Sequence, residues 1–246
     1  LSYDAEPQPR GGQCNDSVDV NAPLIVNGFG FNHANTRNQT SLVDSSNVAS
    51  LAVNFQHAGA GVREKRGAPA ATAQAIFLTS GRQLLAINRL AGCQYWAFSI
   101  SAAGGEFRSG SVLFVPATGS LPALVYAADN NGYVYAVNAA TGQALWQTFA
   151  GTNPLFHFVT GGMQYERGKL FVPVSSKEVL MTIFVPGACC VSHGMLVALD
   201  AGSGSVLWRY HTTADASEIV QPGARIGPNG APVWATPTLY AKRNAI

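Results

Sequence analysis

Three stretches of this chain align without a gap: LLAINRLAGCQYW (Leu84 to Trp96), VYAVNAATGQALW (Val134 to Trp146) and LVALDAGSGSVLW (Leu196 to Trp208). Ala, Gly and Trp recur in register, as Ala86, Ala136 and Ala198, then Gly92, Gly142 and Gly204, then Trp96, Trp146 and Trp208. A fixed repeat of this length is the signature of a modular architecture. Runs such as Val134-Tyr135-Ala136-Val137 read as a strand buried on both faces. The Asn or Asp after each run, followed by Thr-Gly, Ser-Gly or Ala-Gly, reads as a tight turn whose Gly supplies a positive φ. The next strand carries the Trp outward to a joint between repeats. There its N–H requires a partner in the following turn, and the small Ala opposite leaves it room.

Working upstream, each unit has a further strand signal: Ala75 to Leu78, Leu124 to Ala127 and Lys169 to Val172. Each unit therefore predicts strand, strand, strand, turn, strand, the four-stranded antiparallel blade of a β-propeller. The fold expected is all-β, with about three complete blades and the start of a fourth at Val233-Trp234. Residues 1–48 read as an irregular N-terminal arm, and 49–246 as the partial propeller. Leu51 to Phe55 is expected to be a short strand, placed to close a last blade against the first.

Composition agrees. Of 246 residues, 47% are hydrophobic and only 11% charged, with 26 Gly and 13 Pro. That favours short strands and tight turns over helices with charged faces. The net charge of +2, with no basic run longer than Arg63-Glu64-Lys65-Arg66, argues against a nucleic-acid partner. No apolar stretch is long enough for a membrane span: Val179 to Val191 is broken by Pro186 and Gly187. The first residues are polar and contain Pro7 and Pro9, so they do not read as a signal peptide. They begin on Leu, which leaves room for a lost upstream segment. Four Cys suit an oxidising compartment, periplasmic or extracellular. Cys189 and Cys190 are adjacent and lack a second pair at zinc spacing. The five His show no ligand spacing, and Asn38-Gln39-Thr40 is a glycosylation-type triplet.

The third unit carries Ala198, Asp200, Ser203-Gly204 and Trp208. This resembles the blade motif Ala-x-Asp-x-x-Thr-Gly-x-x-x-Trp of the quinoprotein alcohol dehydrogenases, which use pyrroloquinoline quinone (PQQ). Five segments carry the resemblance to the polyvinyl alcohol-oxidising members: GFGFNHANTRNQTS (Gly28 to Ser41), AGCQYWAF (Ala91 to Phe98), LFVPVSSKE (Leu170 to Glu178), CCVSHGMLVALDAGSG (Cys189 to Gly204) and GPNGAPVWATPTLYAKRNA (Gly227 to Ala245). The resemblance implies part of an eight-bladed ring. It implies PQQ and Ca²⁺ as cofactors, secondary or polymeric alcohols as substrates, and a c-type cytochrome as electron acceptor. No CxxCH haem motif is present in the chain.

PQQ is a flat ortho-quinone with three carboxylates, so its site needs stacking groups, donors for the carboxylates, and a hard cation on the reacting carbonyl. Trp234 breaks the phase of the other three Trp, and the resemblance implies that it stacks on the ring. Glu178, in Val174-Ser175-Ser176-Lys177-Glu178, is implied as a calcium ligand, a hard oxygen donor suited to that ion. Ser175 and Ser176 stand where neighbouring hydroxyls and N–H groups hold a PQQ carboxylate. Arg108 and Thr160, at corresponding places one blade apart, are further carboxylate holders. Cys189 and Cys190 are implied to form a vicinal disulfide near the cofactor. That leaves Cys14 and Cys93 to pair and staple the arm to the first blade. His193 stands where the family has Arg. The catalytic aspartate is expected beyond Ile246, so the chain alone is expected to be inactive. Two other readings remain at this point: a cofactor-free docking scaffold of the outer-membrane assembly lipoprotein type, and a quinoprotein that has lost its cofactor.

Overall fold

The structure is a computed structural model that describes residues 12–32, 35–37, 43–56, 67–101, 105–107, 112–180, 192–213, 230–243 and 245–246. Its strands form three antiparallel sheets, one per repeat. The first blade holds β1 (Leu24–Asn27), β2 (Ala70–Thr72), β3 (Ala75–Ser80), β4 (Gln83–Asn88) and β5 (Gln94–Ser99), in that order across the sheet. The second holds β6 (Leu113–Val115), β7 (Leu124–Ala128), β8 (Tyr133–Asn138) and β9 (Ala144–Phe149). In the third, β10 (His157–Phe158) and β11 (Gln164–Glu166) both pair with β12 (Lys169–Ser176), followed by β13 (Met195–Asp200) and β14 (Val206–His211). The expected all-β partial propeller is the architecture observed.

Alternation along each strand divides its side chains between two cores. In the second blade, Val125, Ala127, Tyr135 and Val137 pack toward the first blade with Phe77, Trp96 and Phe114. Their neighbours Leu124, Tyr126, Val134 and Ala136 pack toward the third with Leu170, Val172 and Val197. The blade is thus buried on both faces, which is why its strands lack a polar side.

The repeated turn works as its residues predict. Asn88, Asn138 and Asp200 each accept two backbone N–H bonds on Oδ1, from Leu90 and Ala91, Ala140 and Thr141, and Gly202 and Ser203 respectively. Gly92, Gly142 and Gly204 follow at φ 73°, 75° and 73°, a region in which a Cβ is strained. A Cβ on Gly142 would also meet the Trp96 ring at 2.8 Å, and one on Gly204 the Trp146 ring at 2.6 Å. The Trp ring of one blade therefore lies flat on the turn of the next. Its N–H completes the joint: Trp96 Nε1 donates to Ala139 O at 2.9 Å, and Trp146 Nε1 to Ala201 O at 3.1 Å. Ala86, Ala136 and Ala198 sit opposite the three Trp in the ladders, and each ladder slips register at the next residue. Trp208 keeps the phase but is 39% exposed, since no further turn is described against it.

Three expectations need correction. The arm is not irregular throughout. β1 adds a fifth strand to the first blade, and Gln13 forms a parallel bridge with Gln94 along the outer edge. Cys14–Cys93 is bonded, as expected, at a Cα separation of 5.2 Å. Leu51 to Phe55 is not a strand; it is extended chain after the 3-10 turn Val48–Ser50, with no partner strand among the described residues. Its Phe55 ring lies against Gly92 as Trp96 lies against Gly142, so it fills the staple position without joining a sheet. The third correction concerns Val233-Trp234, which begins no strand. Residues 231–239 have no regular structure, and only the bridge Tyr240–Ala245 follows. Extended chain becomes a strand only when a neighbour takes its N–H and C=O groups. No such neighbour is described here.

Among the described residues, no helix is long and apolar enough to cross a membrane.

Candidate functional site

β12 ends in Val174-Ser175-Ser176, three fully buried residues. β10 caps this end, with His157 opposite Ser176 and Phe158 opposite Ser175. Between β10 and β11 the chain leaves the sheet at residues 159–163, alongside Pro173. The segment 231–236 lies on this departure. A Cβ on Gly161 would meet the carbonyl oxygens of Trp234 and Ala235 at 2.7 and 2.8 Å. One on Gly194 would meet Ala231 O at 2.4 Å. Only glycine permits so close an approach of backbones. Gly162 N donates to Thr236 Oγ1 at 3.0 Å. The N-terminal arm arrives from the other side: Asn35 Nδ2 donates to Thr236 O, Pro237 O and Thr238 Oγ1 at 2.8–3.3 Å.

Several polar groups are buried here. Glu178 is 5% exposed and lies in the 3-10 turn Lys177–Leu180 directly after β12. Its Oε2 accepts Ser192 N–H at 2.7 Å and the Ser192 hydroxyl. Ser192 Oγ lies 2.7 Å from Ser176 Oγ, which accepts Glu178 N–H at 3.2 Å. Thr160 Oγ1 and Ser175 Oγ, by contrast, are buried with no hydrogen-bond partner among the described residues. A buried unpaired hydroxyl is costly and uncommon, and points to a missing ligand or ion. The ammonium of Lys177 lies 5.9 Å from the Phe158 ring centroid. Burial pulls its pKa below the ordinary lysine value, against the opposing pull of Asp129.

Three histidines also meet here. His157 Nδ1 accepts the N–H groups of Thr152 and Asn153, each at 3.0 Å. With Nδ1 an acceptor, the proton is on Nε2, which donates to His193 O at 3.1 Å. His193 Nε2 lies 2.5 Å from Nδ1 of His211 on β14. Burial pulls the pKa of His157 down, and electrostatic coupling to the His193 and His211 rings acts the same way. The His193 carbonyl and the Glu178 charge oppose that shift. The folded pKa is below the unfolded value, so the unfolded chain takes up this proton first on acidification. The stability held by neutral His157 is therefore intact above about pH 6.5 and is lost as pH falls through that value. Urea unfolding at pH 7.5 and 5.5 is expected to show a loss at the lower pH that shrinks in His157→Gln. An equal loss in both proteins would assign the acid sensitivity elsewhere.

Sequence-predicted residues thus separate into three groups. Ser175, Ser176 and Glu178 share one end of β12, and Thr160 lies two residues beyond the Phe158–Ser175 pair. The backbone of Trp234 reaches the same end, but its side chain is 53% exposed. Arg108, Cys189 and Cys190, like the Asn38 triplet, lie outside the described residues. Ser192, His157 and His211 had no signal in sequence, and His193 was marked only by standing where the family has Arg, since Glu178 and Ser192 are 14 residues apart and His157 and His193 are 36 apart. Among the described residues, no three His, Cys, Asp or Glu side chains cluster to hold a metal. The two hydroxyls without a partner among the described residues are of a chemistry that can donate to the carboxylates of PQQ.

The chain is 32% identical to the polyvinylalcohol dehydrogenase of a Pseudomonas species over 93% of its own length. It is 30% identical to that of Sphingopyxis sp. (strain 113P3) over 95%. It spans about a third of these relatives, 36% of each. In fold it resembles a europium-containing methanol dehydrogenase, with a TM-score of 0.61 at 19% identity, covering 80% of this chain and 33% of that one. It also resembles the quinohemoprotein alcohol dehydrogenase of Comamonas testosteroni, with a TM-score of 0.59 at 18% identity, covering 79% and 28%. The sequence profile PQQ_2, described as outer membrane protein assembly factor BamB, matches residues 34–242. Blade repeat, Trp joints and profile together place this chain in the PQQ-type β-propeller family, with alcohol dehydrogenases as its sequence relatives.

Proposed function

We propose that this chain forms part of a PQQ- and Ca²⁺-dependent dehydrogenase that oxidises secondary alcohols, including polymeric ones such as polyvinyl alcohol. The observation that carries the reading is the pair of buried hydroxyls at Thr160 and Ser175, without a partner among the described residues, at the end of β12 that leads into the buried Glu178. When bound, PQQ supplies the two-electron acceptor for the carbinol hydride. Thr160 and Ser175 donate to its carboxylates, Arg108 adds a cation, and Trp234 offers a flat face. Cys189 and Cys190 are further candidates for contact with the cofactor. Glu178 contributes one oxygen to Ca²⁺. Ser176, whose hydroxyl is engaged with Ser192 and Glu178, holds Glu178 more directly than it holds the cofactor. The base that takes the alcohol proton comes from the remainder of the full-length protein, which acts in the periplasm or outside the cell and passes electrons to a c-type cytochrome.

The test is reconstitution of the full-length protein with PQQ and Ca²⁺. A perturbed quinone absorbance is expected on binding, followed by dye reduction on adding polyvinyl alcohol or a small secondary alcohol. The family profile's description favours a second reading, a propeller that docks proteins and binds no cofactor. Absence of PQQ binding with Ca²⁺ present would leave that reading standing.

A further inference from the structure

The N-terminal arm ties the first two blades to the link that carries Thr160. β1 lies beside β2, at the edge of the first sheet opposite β5. At its end Asn27 reaches the second blade: Nδ2 donates to Phe114 O and Oδ1 accepts Phe114 N–H, each at 2.8 Å. The chain then folds back on itself, with Arg37 N–H on Gly30 O at 3.2 Å and the Arg37 guanidinium 4.5 Å from the Phe29 ring centroid. Asn35 stands in this loop at φ 51°, a conformation that Asn accepts more readily than most residues. Its side-chain amide faces two carbonyl oxygens, of Thr236 and Pro237, and the hydroxyl oxygen of Thr238. A carbonyl can only accept, so the NH₂ end of the amide is the end that fits there.

Thr236 is held from two sides. Its carbonyl accepts from Asn35, and its Oγ1 accepts Gly162 N–H at 3.0 Å. Gly162 belongs to the link 159–163, which leaves the sheet between β10 and β11 and has no ladder to fix it. Contacts with a neighbouring segment therefore decide where this link lies. Thr160, whose buried hydroxyl has no partner among the described residues, is part of the same link. We propose that Asn35 is a positioning residue for the Thr160 hydroxyl, acting through Thr236 and Gly162. The proposal rests on the reading of Thr160 as a donor to a carboxylate of PQQ. A clamp that served only to hold the arm would change stability and leave cofactor affinity alone.

The experiment titrates the full-length protein with PQQ in the presence of Ca²⁺, following the quinone absorbance, with a thermal melt run beside it. The variants are Asn35→Gly, Thr160→Val and the two together. Glycine adopts φ 51° without strain, so Asn35→Gly removes the amide and leaves the loop its conformation. Asn35→Gly is expected to bind PQQ about 10-fold more weakly, the equivalent of one hydrogen bond of ordinary strength. In the Thr160→Val background the same change should weaken binding by no more than about 2-fold, because residues that act through one contact are not additive. Should Asn35→Gly fail to fold, Thr238→Val removes one of its acceptors, and a weakening of about 2–3-fold is expected there. Parent affinity in Asn35→Gly, or in Thr238→Val where that variant stands in, overturns the proposal and leaves the cofactor reading in place if Thr160→Val binds PQQ weakly. A loss from Asn35→Gly that persists in full in the Thr160→Val background overturns it in the same way. Parent affinity in Thr160→Val removes Thr160 from the cofactor site and overturns both readings.

Discussion

Glu178→Gln in the full-length protein, supplied with PQQ and Ca²⁺, is expected to lower the rate of alcohol oxidation by about 10²–10³-fold, the usual effect of removing one preorganised electrostatic contribution to a transition state. The fold should survive. A Gln carbonyl oxygen can take the place of Oε2 and still accept Ser192 N–H and the Ser192 hydroxyl. Glu178→Ala is the harsher change, since it leaves two buried donors unpaired, at about 1–3 kcal/mol each. The two variants therefore separate chemistry from stability. Dye reduction should fall in both, while the melting temperature should fall clearly only in the alanine variant. Parent activity in Glu178→Gln would show that the carboxylate is structural, and that the cation is held elsewhere.

Trp96→Ala is expected to destabilise the protein by about 3–5 kcal/mol, the range for truncating a buried Trp. Trp96 is 7% exposed, covers Gly142, packs near Phe77 at a 6.0 Å centroid distance and closes the joint to Ala139. Trp96→Phe keeps a ring but loses the N–H bond, so its loss includes about 1 kcal/mol for that bond. Stability in a repeat array is a sum of units and the joints between neighbours. The damage should therefore appear at the junction of the first and second blades, as faster amide exchange on β4, β5 and β8. A loss below about 1 kcal/mol in Trp96→Ala would mean that aliphatic packing alone holds the blades together. The effect on Glu178 chemistry should be small, because Trp96 sits at the joint of the first two blades and Glu178 follows β12 of the third.

Much of the propeller is legible in the sequence. The repeat is local: the Asn or Asp, the Gly and the Trp of one turn lie within nine residues, from Asn138 to Trp146 for example. Their chemistry dictates the turn. Burial on both faces of Val134 to Val137 followed from the absence of a polar alternation. The pairing of Ala136 with Trp146 followed from the turn length.

Trp234 shows the limit of that logic. Its break in phase identified it as different from the other three, and among the described residues its side chain is 53% exposed and covers no repeat glycine. The inner strand expected around it is absent, because a strand is decided by its neighbour and not by its own residues. The histidines show the converse. His157, His193 and His211 have no common spacing, yet they meet because β10 caps β12 and β14 pairs with β13.

The sequence by itself therefore determined the blade, its turn and its Trp joint, since each is specified by residue type at short spacing, while the Cys14–Cys93 bond became definite only in the structure. Only the tertiary structure decided the ring of Ser176, Ser192 and Glu178, the two unpaired hydroxyls and the clamp of Asn35 on residues 236–238. Those depend on sheet register and on glycine-permitted backbone approach between segments up to 203 residues apart. No local pattern records such distances.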